Sequence, residues 1–326
     1  MARIRYGCTI VCSLLIVASA CFAGTNGGLA GAFGRVGAGA RAKAMGNAYT
    51  GLAEGVSALY FNPGALPFQE SSQFGISASK MALDRSVQYL AFATPVHPKA
   101  GPDKRVVNAG FGVGWLHAGV SEIDSRSFDG EPLEMIEMSS NLFLFSFGVQ
   151  FHEKLGGGIT AKVVYETFGK ITDNDRSVNG DGFGVDAGLF GRPIEHLTLG
   201  VQLKDIGTKT TWNTTDYWSQ GSTKADKWPV QYRVGAAYQY QFLTGAVDFE
   251  GSAEQENRLH AGLEARTEIS ERESVAARLG LDHDSFSAGL GLEFAIWKVR
   301  SMIDVVYTFE TVAPDDAQTL GWGVKF

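Results

Sequence analysis

The sequence predicts an all-β chain: a transmembrane antiparallel β-barrel of about fourteen strands, preceded by a short helical plug and a cleaved signal peptide. Three observations carry that prediction. From about Ser72 the chain divides into runs of about ten residues with period-two polarity, separated by turn residues. The polar face of those runs is mostly glycine with scattered single charges, where a sheet facing water carries more Thr, Lys and Glu. The connections alternate between very short and long, as when turns and loops lie on opposite sides of a bilayer.

Composition narrows the field further. The chain has 326 residues and a net charge of −7, with 44% hydrophobic residues, so it has enough apolar content to fold. The acidic balance and the lack of a Lys/Arg stripe exclude a nucleic-acid partner. Glycine is 41 residues, phenylalanine 21 and proline only 9, which points to tightly packed strands rather than linkers.

Residues 1–23, MARIRYGCTIVCSLLIVASACFA, read as a signal peptide. Arg3 and Arg5 are followed by an apolar core from Cys8 to Ala20, too short to span a bilayer as a helix. Cleavage is expected between Ala23 and Gly24. Ala18-Ser19-Ala20-Cys21 is an alternative lipoprotein box, with Cys21 acylated. All three cysteines lie in this segment, so the mature chain carries no disulfide and no thiolate site.

Residues 24–71 form a separate segment, expected to hold short helices over 40–49 and 51–60 and a turn at Asn62-Pro63-Gly64. The barrel takes 72–326. Its strands are expected at 72–81, 87–96, 106–118, 139–151, 155–168, 182–192, 196–206, 229–240, 243–251, 258–267, 274–282, 285–294, 298–309 and 317–326. In the fourth, Phe143, Phe145, Phe147, Val149 and Phe151 share one face; in the seventh, Leu197, Leu199, Val201 and Leu203 do. If residue 72 starts in the periplasm, the three longest connections (119–138, 169–181 and 207–228) all lie outside the cell, and the short ones (152–154, 193–195, 241–242 and 295–297) lie in the periplasm. Trp115, Tyr165, Tyr240, Trp297, Tyr307 and Trp322 sit near strand ends and suit interfacial girdles.

A fourteen-strand barrel is too wide for its wall side chains to fill. The charges on the glycine-rich face are therefore expected to point into the lumen. These are Lys162, Glu166, Lys204, Arg233, Asp248, Glu250, Glu264, Arg266, Arg278 and Glu293. They can pair with one another and with Arg41, Lys43 or Glu54. The terminal Phe326 on the outward face resembles the signal by which the outer-membrane insertion machinery recognises its clients.

Residues 39–66, GARAKAMGNAYTGLAEGVSALYFNPGAL, resemble the N-terminal signature of the FadL-like outer-membrane proteins, most closely the PorV/PorQ branch. Matching positions are Gly39, Arg41, Met45, Gly46, Ala48, Tyr49, Glu54, Ser57, Ala58, Tyr60, Asn62, Pro63 and Leu66. The chain departs from the pattern at Glu54-Gly55, often paired acids, and at Gly64-Ala65, where the order is inverted. The resemblance implies that 24–71 folds inside the barrel as a plug, or hatch. It also implies a passive channel for hydrophobic small molecules such as fatty acids or aromatic hydrocarbons. Plug residues Met45, Leu52, Leu59, Tyr60, Phe61, Asn62 and Pro63 would then contact ligand or pack the plug core. The PorV-like alternative is a barrel that docks secreted proteins in a type IX pathway. A third reading, from the alternation alone, is an exported β-sandwich.

Other motifs carry less. Gly37 to Ala42 matches a dinucleotide fingerprint formally but lacks the preceding strand and the βαβ unit. Asp173 to Asp181 has oxygen-ligand spacing, without the glycine and terminal Glu of a calcium loop. The six histidines show no metal-ligand spacing. No catalytic residue and no cofactor are expected.

Overall fold

The computed structural model describes residues 28–96, 108–171, 176–283, 285–311 and 313–326. The expected signal peptide with its Ala23–Gly24 junction, Cys21, and residues 173–175 of the acidic stretch lie outside them. Fifteen strands are present among the described residues: β1 (Gln73–Lys80), β2 (Arg85–Val96), β3 (Ala109–Ile123), β4 (Ile136–His152), β5 (Leu155–Gly169), β6 (Val178–Ile194), β7 (Leu197–Asn213), β8 (Thr223–Lys227), β9 (Gln231–Tyr240), β10 (Leu243–Ser252), β11 (Arg258–Ser270), β12 (Glu273–Asp282), β13 (Ser285–Ile296), β14 (Val299–Phe309) and β15 (Ala317–Lys325).

Each strand pairs antiparallel with its neighbours, and β1 pairs with β15, so the sheet closes. The ring has fourteen strands. The extra one, β8, pairs only with the far end of β7, at Lys209–Asn213. Closure leaves no edge in the fourteen-strand ring, only the free side of short β8, and rules out the sandwich reading. The sequence-derived strands match the ring one for one. The differences lie in length: β3 to β7 run 15 to 17 residues, and several outlast their apolar alternation at one end. Backbone pairing continues there after the side chains have turned polar, so the 119–138, 169–181 and 207–228 connections are shorter than expected.

Two-residue turns at 153–154, 195–196, 241–242, 271–272 and 297–298 gather at one end of the barrel, the turn end. The longer connections 124–135 and 214–222 gather at the other, the loop end, as do the strand ends at Gly169, Val178, Phe309 and Ala317. The outer surface is a belt of Phe, Leu, Ile and Val. Phe145, Leu199 and Leu290 are exposed, while Leu142, Leu144, Lys162 and Arg233 on the opposite face are buried. The period-two pattern thus turns inside out: the apolar face points outward.

Residues 28–71 lie in the lumen. They fold as short helical turns: Ala32–Arg35, α1 (Ala40–Ala44), Gly55–Ser57, α2 (Ala58–Phe61) and Pro63–Phe68. Both expected helices are therefore cut short. The first ends at a positive-φ pair, Gly46 and Asn47. The second starts only at Gly55, itself at φ 52°. Asn62-Pro63-Gly64 opens a 3₁₀ segment rather than a plain turn, because Asn62 Oδ1 accepts from the Gly64 amide at 3.1 Å and Pro63 occupies the first helical position.

The glycine-rich inner wall is where this plug seats. A Cβ at Gly148 would lie 2.6 Å from the Pro63 carbonyl oxygen, one at Gly262 2.5 Å from that of Met45, and one at Gly321 2.6 Å from Ala40 Cβ. Glycine lets plug backbone touch wall backbone.

Candidate functional site

The plug is held by hydrogen bonds that use wall side chains as caps. Asp248 on β10 accepts the amides of Tyr49 at 3.0 Å and Thr50 at 2.8 Å. Gln202 on β7 donates to the Tyr60 carbonyl at 2.9 Å. Asn62 donates to the carbonyls of Thr50 at 3.1 Å and Leu189 at 2.9 Å. Tyr60 closes the plug on itself, donating to Gly34 O at 2.8 Å and accepting from the Gly37 amide at 3.2 Å. Backbone groups that a plug of broken helices leaves open are thereby satisfied from the wall.

Charges complete the attachment. Arg41 grips Glu264 with Nε at 2.9 Å and Nη2 at 3.0 Å, and also pairs with Glu54. Glu264 takes Arg278 and Arg266 as well. Burial pushes the Glu54 carboxyl up, but the field of Arg41, helped by Lys325 and Arg266, outweighs it and holds the group down at about 2. A second network joins Arg233, Glu250, His260 and Asp282, with His260 Nδ1 2.8 Å from Asp282. Asn47 reaches from the plug to Asp282 at 2.6 Å. A third is the buried Lys162 between Asp186 and Asp205.

Cavities flank the plug at both ends. At the turn end one of about 710 Å³ reaches in beside the plug, next to one of about 750 Å³ at the rim around Phe68, Arg192 and Lys298. Arg41, Glu54, Glu264, Arg266, Arg278, Glu293, Asp304 and Lys325 line the 710 Å³ chamber. A smaller one, about 370 Å³, lies at the loop end between the start of the plug and β2 to β5, β7 and β8. Its lining is mainly apolar: Leu29, Phe33, Val36, Met81, Val87, Val120 and Met138, with Trp212. Between them stands the packed plug centre, where Met45, Leu59 and Phe61 have no exposed surface.

The structure sorts the expected plug residues. Met45, Leu59, Tyr60 and Phe61 are buried core, Asn62 and Pro63 shape the 3₁₀ entry, and Leu52 alone of that set lines a described cavity. Of the expected lumen charges, Glu264, Arg266, Arg278 and Glu293 line the charged chamber, and Glu166 lines the apolar one. Lys162, Arg233 and Asp248 are buried in wall-to-wall or wall-to-plug contacts.

Sequence reasoning missed three participants. Asp186 was within reach, because alternation through Gly184, Asp186 and Gly188 places it inward. Asp205 was not: alternation points it outward, and a left-handed backbone, φ 63°, rotates it in beside buried Lys204. Trp228 precedes Pro229, which cannot join a ladder. Its amide donates to Thr208 O at 3.0 Å, and its ring packs inward edge-on against Phe33.

No protein-family model matches the chain, and no curated protein sequence matches it. Solved structures do. The toluene transporter TodX of Pseudomonas putida aligns with a TM-score of 0.59 at 12% identity, over 89% of this chain and 97% of that one. The toluene transporter TbuX of Ralstonia pickettii aligns at 0.61 and 14%, over 89% and 97%. A FadL homologue of Pseudomonas aeruginosa aligns at 0.54 and 12%, over 89% and 98%. At such identities the likeness is one of fold: the chain has the closed fourteen-strand barrel, with a short helical segment near its N-terminus, that these channel proteins share.

Proposed function

We propose that the protein is an outer-membrane channel through which small hydrophobic molecules pass passively. The observation that carries this reading is the polarity of the two surfaces: an apolar belt on the outside of a closed barrel and a polar, plug-filled lumen within. A belt of that kind has hydrocarbon as its natural solvent. The apolar cavity at the loop end supports the reading as a point of entry. The charged chamber beyond the plug supports it as an exit where an apolar solute is not retained. The fold shared with toluene transporters and a FadL homologue supports the substrate class. Passage requires the plug centre at Met45, Leu59 and Phe61 to shift.

The test is reconstitution. Vesicles carrying the folded barrel, identified by heat-modifiable migration on a gel, are expected to take up a hydrophobic probe faster than empty vesicles. A cysteine pair locking Leu59 on the plug to Gly114 on the wall is expected to reduce that uptake. Equal rates with and without the protein would sink the reading.

A further inference from the structure

The apolar cavity at the loop end contains one group that the channel reading leaves unused. Glu166 lines it from the inward face of β5 and is 6% exposed. It accepts from Thr210 Oγ1 at 2.8 Å and from Ser140 Oγ at 3.2 Å. Thr210 Oγ1 itself accepts from Trp228 Nε1 at 3.0 Å, which directs the threonine proton toward the carboxylate.

Among the described residues no Lys, Arg or His stands within ion-pair distance of Glu166. The other deeply buried lumen acids are different. Glu250 has Arg233, Glu264 has Arg41 and Arg278, and Asp186 and Asp205 share Lys162. Asp248 lacks a cation but receives two plug amides. Glu166 alone in this comparison lies against a cavity with hydroxyl donors only. Asp226 lines the same cavity. Arg85 is the one cation among the described lining residues; its Nε donates to Ala82 O at 2.9 Å, and its charge also acts on Glu310, which does not line the cavity.

An apolar cavity whose polar groups are chiefly acceptors discriminates by head group. A carboxylate brought beside Glu166 meets like charge in a poorly solvated space, whereas a donor completes the carboxylate's hydrogen bonding. The volume, near the lower end of the usual range for small-molecule sites, suits a single ring or a short chain. We propose that this cavity selects small apolar molecules with a hydrogen-bond-donating head, a hydroxyl or an ammonium, and rejects those headed by a carboxylate. The proposal rests on the channel reading and names the substrate class of its entry site.

The test uses the full barrel in detergent and four probes with one body: butylbenzene, 4-butylbenzyl alcohol, 4-butylbenzylamine and 4-butylbenzoate. Trp212 lines the cavity, so tryptophan fluorescence reports occupancy. The alcohol or the amine is expected to bind about tenfold tighter than the benzoate, with butylbenzene between. Glu166→Gln is expected to close most of that gap. The wild-type ranking decides the matter even if the variant does not fold. Benzoate binding as tightly as the alcohol and amine overturns the head-group proposal and leaves the channel reading standing. Failure of all four probes to bind, butylbenzene included, overturns both.

Discussion

Glu264 shows how a single residue can hold plug and wall together. Its carboxylate receives Arg41 from the plug and Arg278 and Arg266 from the barrel, and its side chain is 2% exposed. Glu264→Ala would remove the partner shared by Arg41 and buried Arg278, which keep Glu54 and Asp304 respectively, at a cost of about 2–3 kcal/mol, below the roughly 3–5 of a fully stranded buried charge. Urea unfolding in detergent, with the plug followed separately by protease sensitivity, is expected to show the plug released first. Lys43 has the opposite character. Burial pushes its ammonium down to about 8, against the opposing fields of Asp282 and Glu310. The unfolded chain keeps that proton up to about 10.4. Between those values the unfolded state binds more protons, so stability rises with pH across that window. Relative to wild type, Lys43→Met is expected to flatten the change in unfolding midpoint between pH 7 and pH 10. An unchanged pH slope would show that the buried ammonium is not its source.

At the scale of elements, the seating of the plug depends on inward glycines more than on helix formation. The helical pieces have four to six residues, or three at Gly55–Ser57, far below the length at which a helix is stable alone. What fixes them is contact with β1 to β7 and β12 to β15. Gly148→Val is expected to keep the barrel heat-modifiable while displacing Pro63 and Pro67, whose atoms lie 2.6 and 2.9 Å from the added Cβ position. Conductance in planar bilayers is expected to rise as the plug unseats, and wild-type conductance in a folded variant would refute this. The seam between β7, β8 and β9 is the second notable element. β9 leaves β7 at Lys204, β8 takes over at Lys209, and Trp228 fills the gap from inside. The left-handed residues Asp205 and Gly207 make that bend.

Across the whole molecule, the apolar belt explains why the barrel holds its shape without an apolar interior of ordinary kind. Phe145, Leu199 and Leu290 are among its exposed members. Arginine at each is expected to cost about 2–4 kcal/mol when the site lies near the bilayer midplane. The loss is read as reduced folding into vesicles at fixed urea. The same three substitutions in a protein that kept its core behind this face would disrupt packing in detergent as well, which separates the two cases. The division of the lumen into an apolar cavity and a charged chamber is likewise a property of the assembled ring. The residues of each cavity come from strands far apart in the chain.

Much of this was legible in the sequence. Period two along fourteen segments determined the number of strands, their order and the face each residue shows, because successive side chains on a strand must point opposite ways. The glycines and lone charges marked the inner face, and connection length marked the two ends. The tertiary structure alone decided what the inner face touches. Asp205 turned inward against its phase, Asn62 became a cap, and Met45 and Phe61 became packing, because a plug made of short broken helices takes its conformation from the wall that surrounds it. Which carboxylate lacks a counter-charge was likewise decided there, since ion pairing depends on distances between strands that no local pattern encodes.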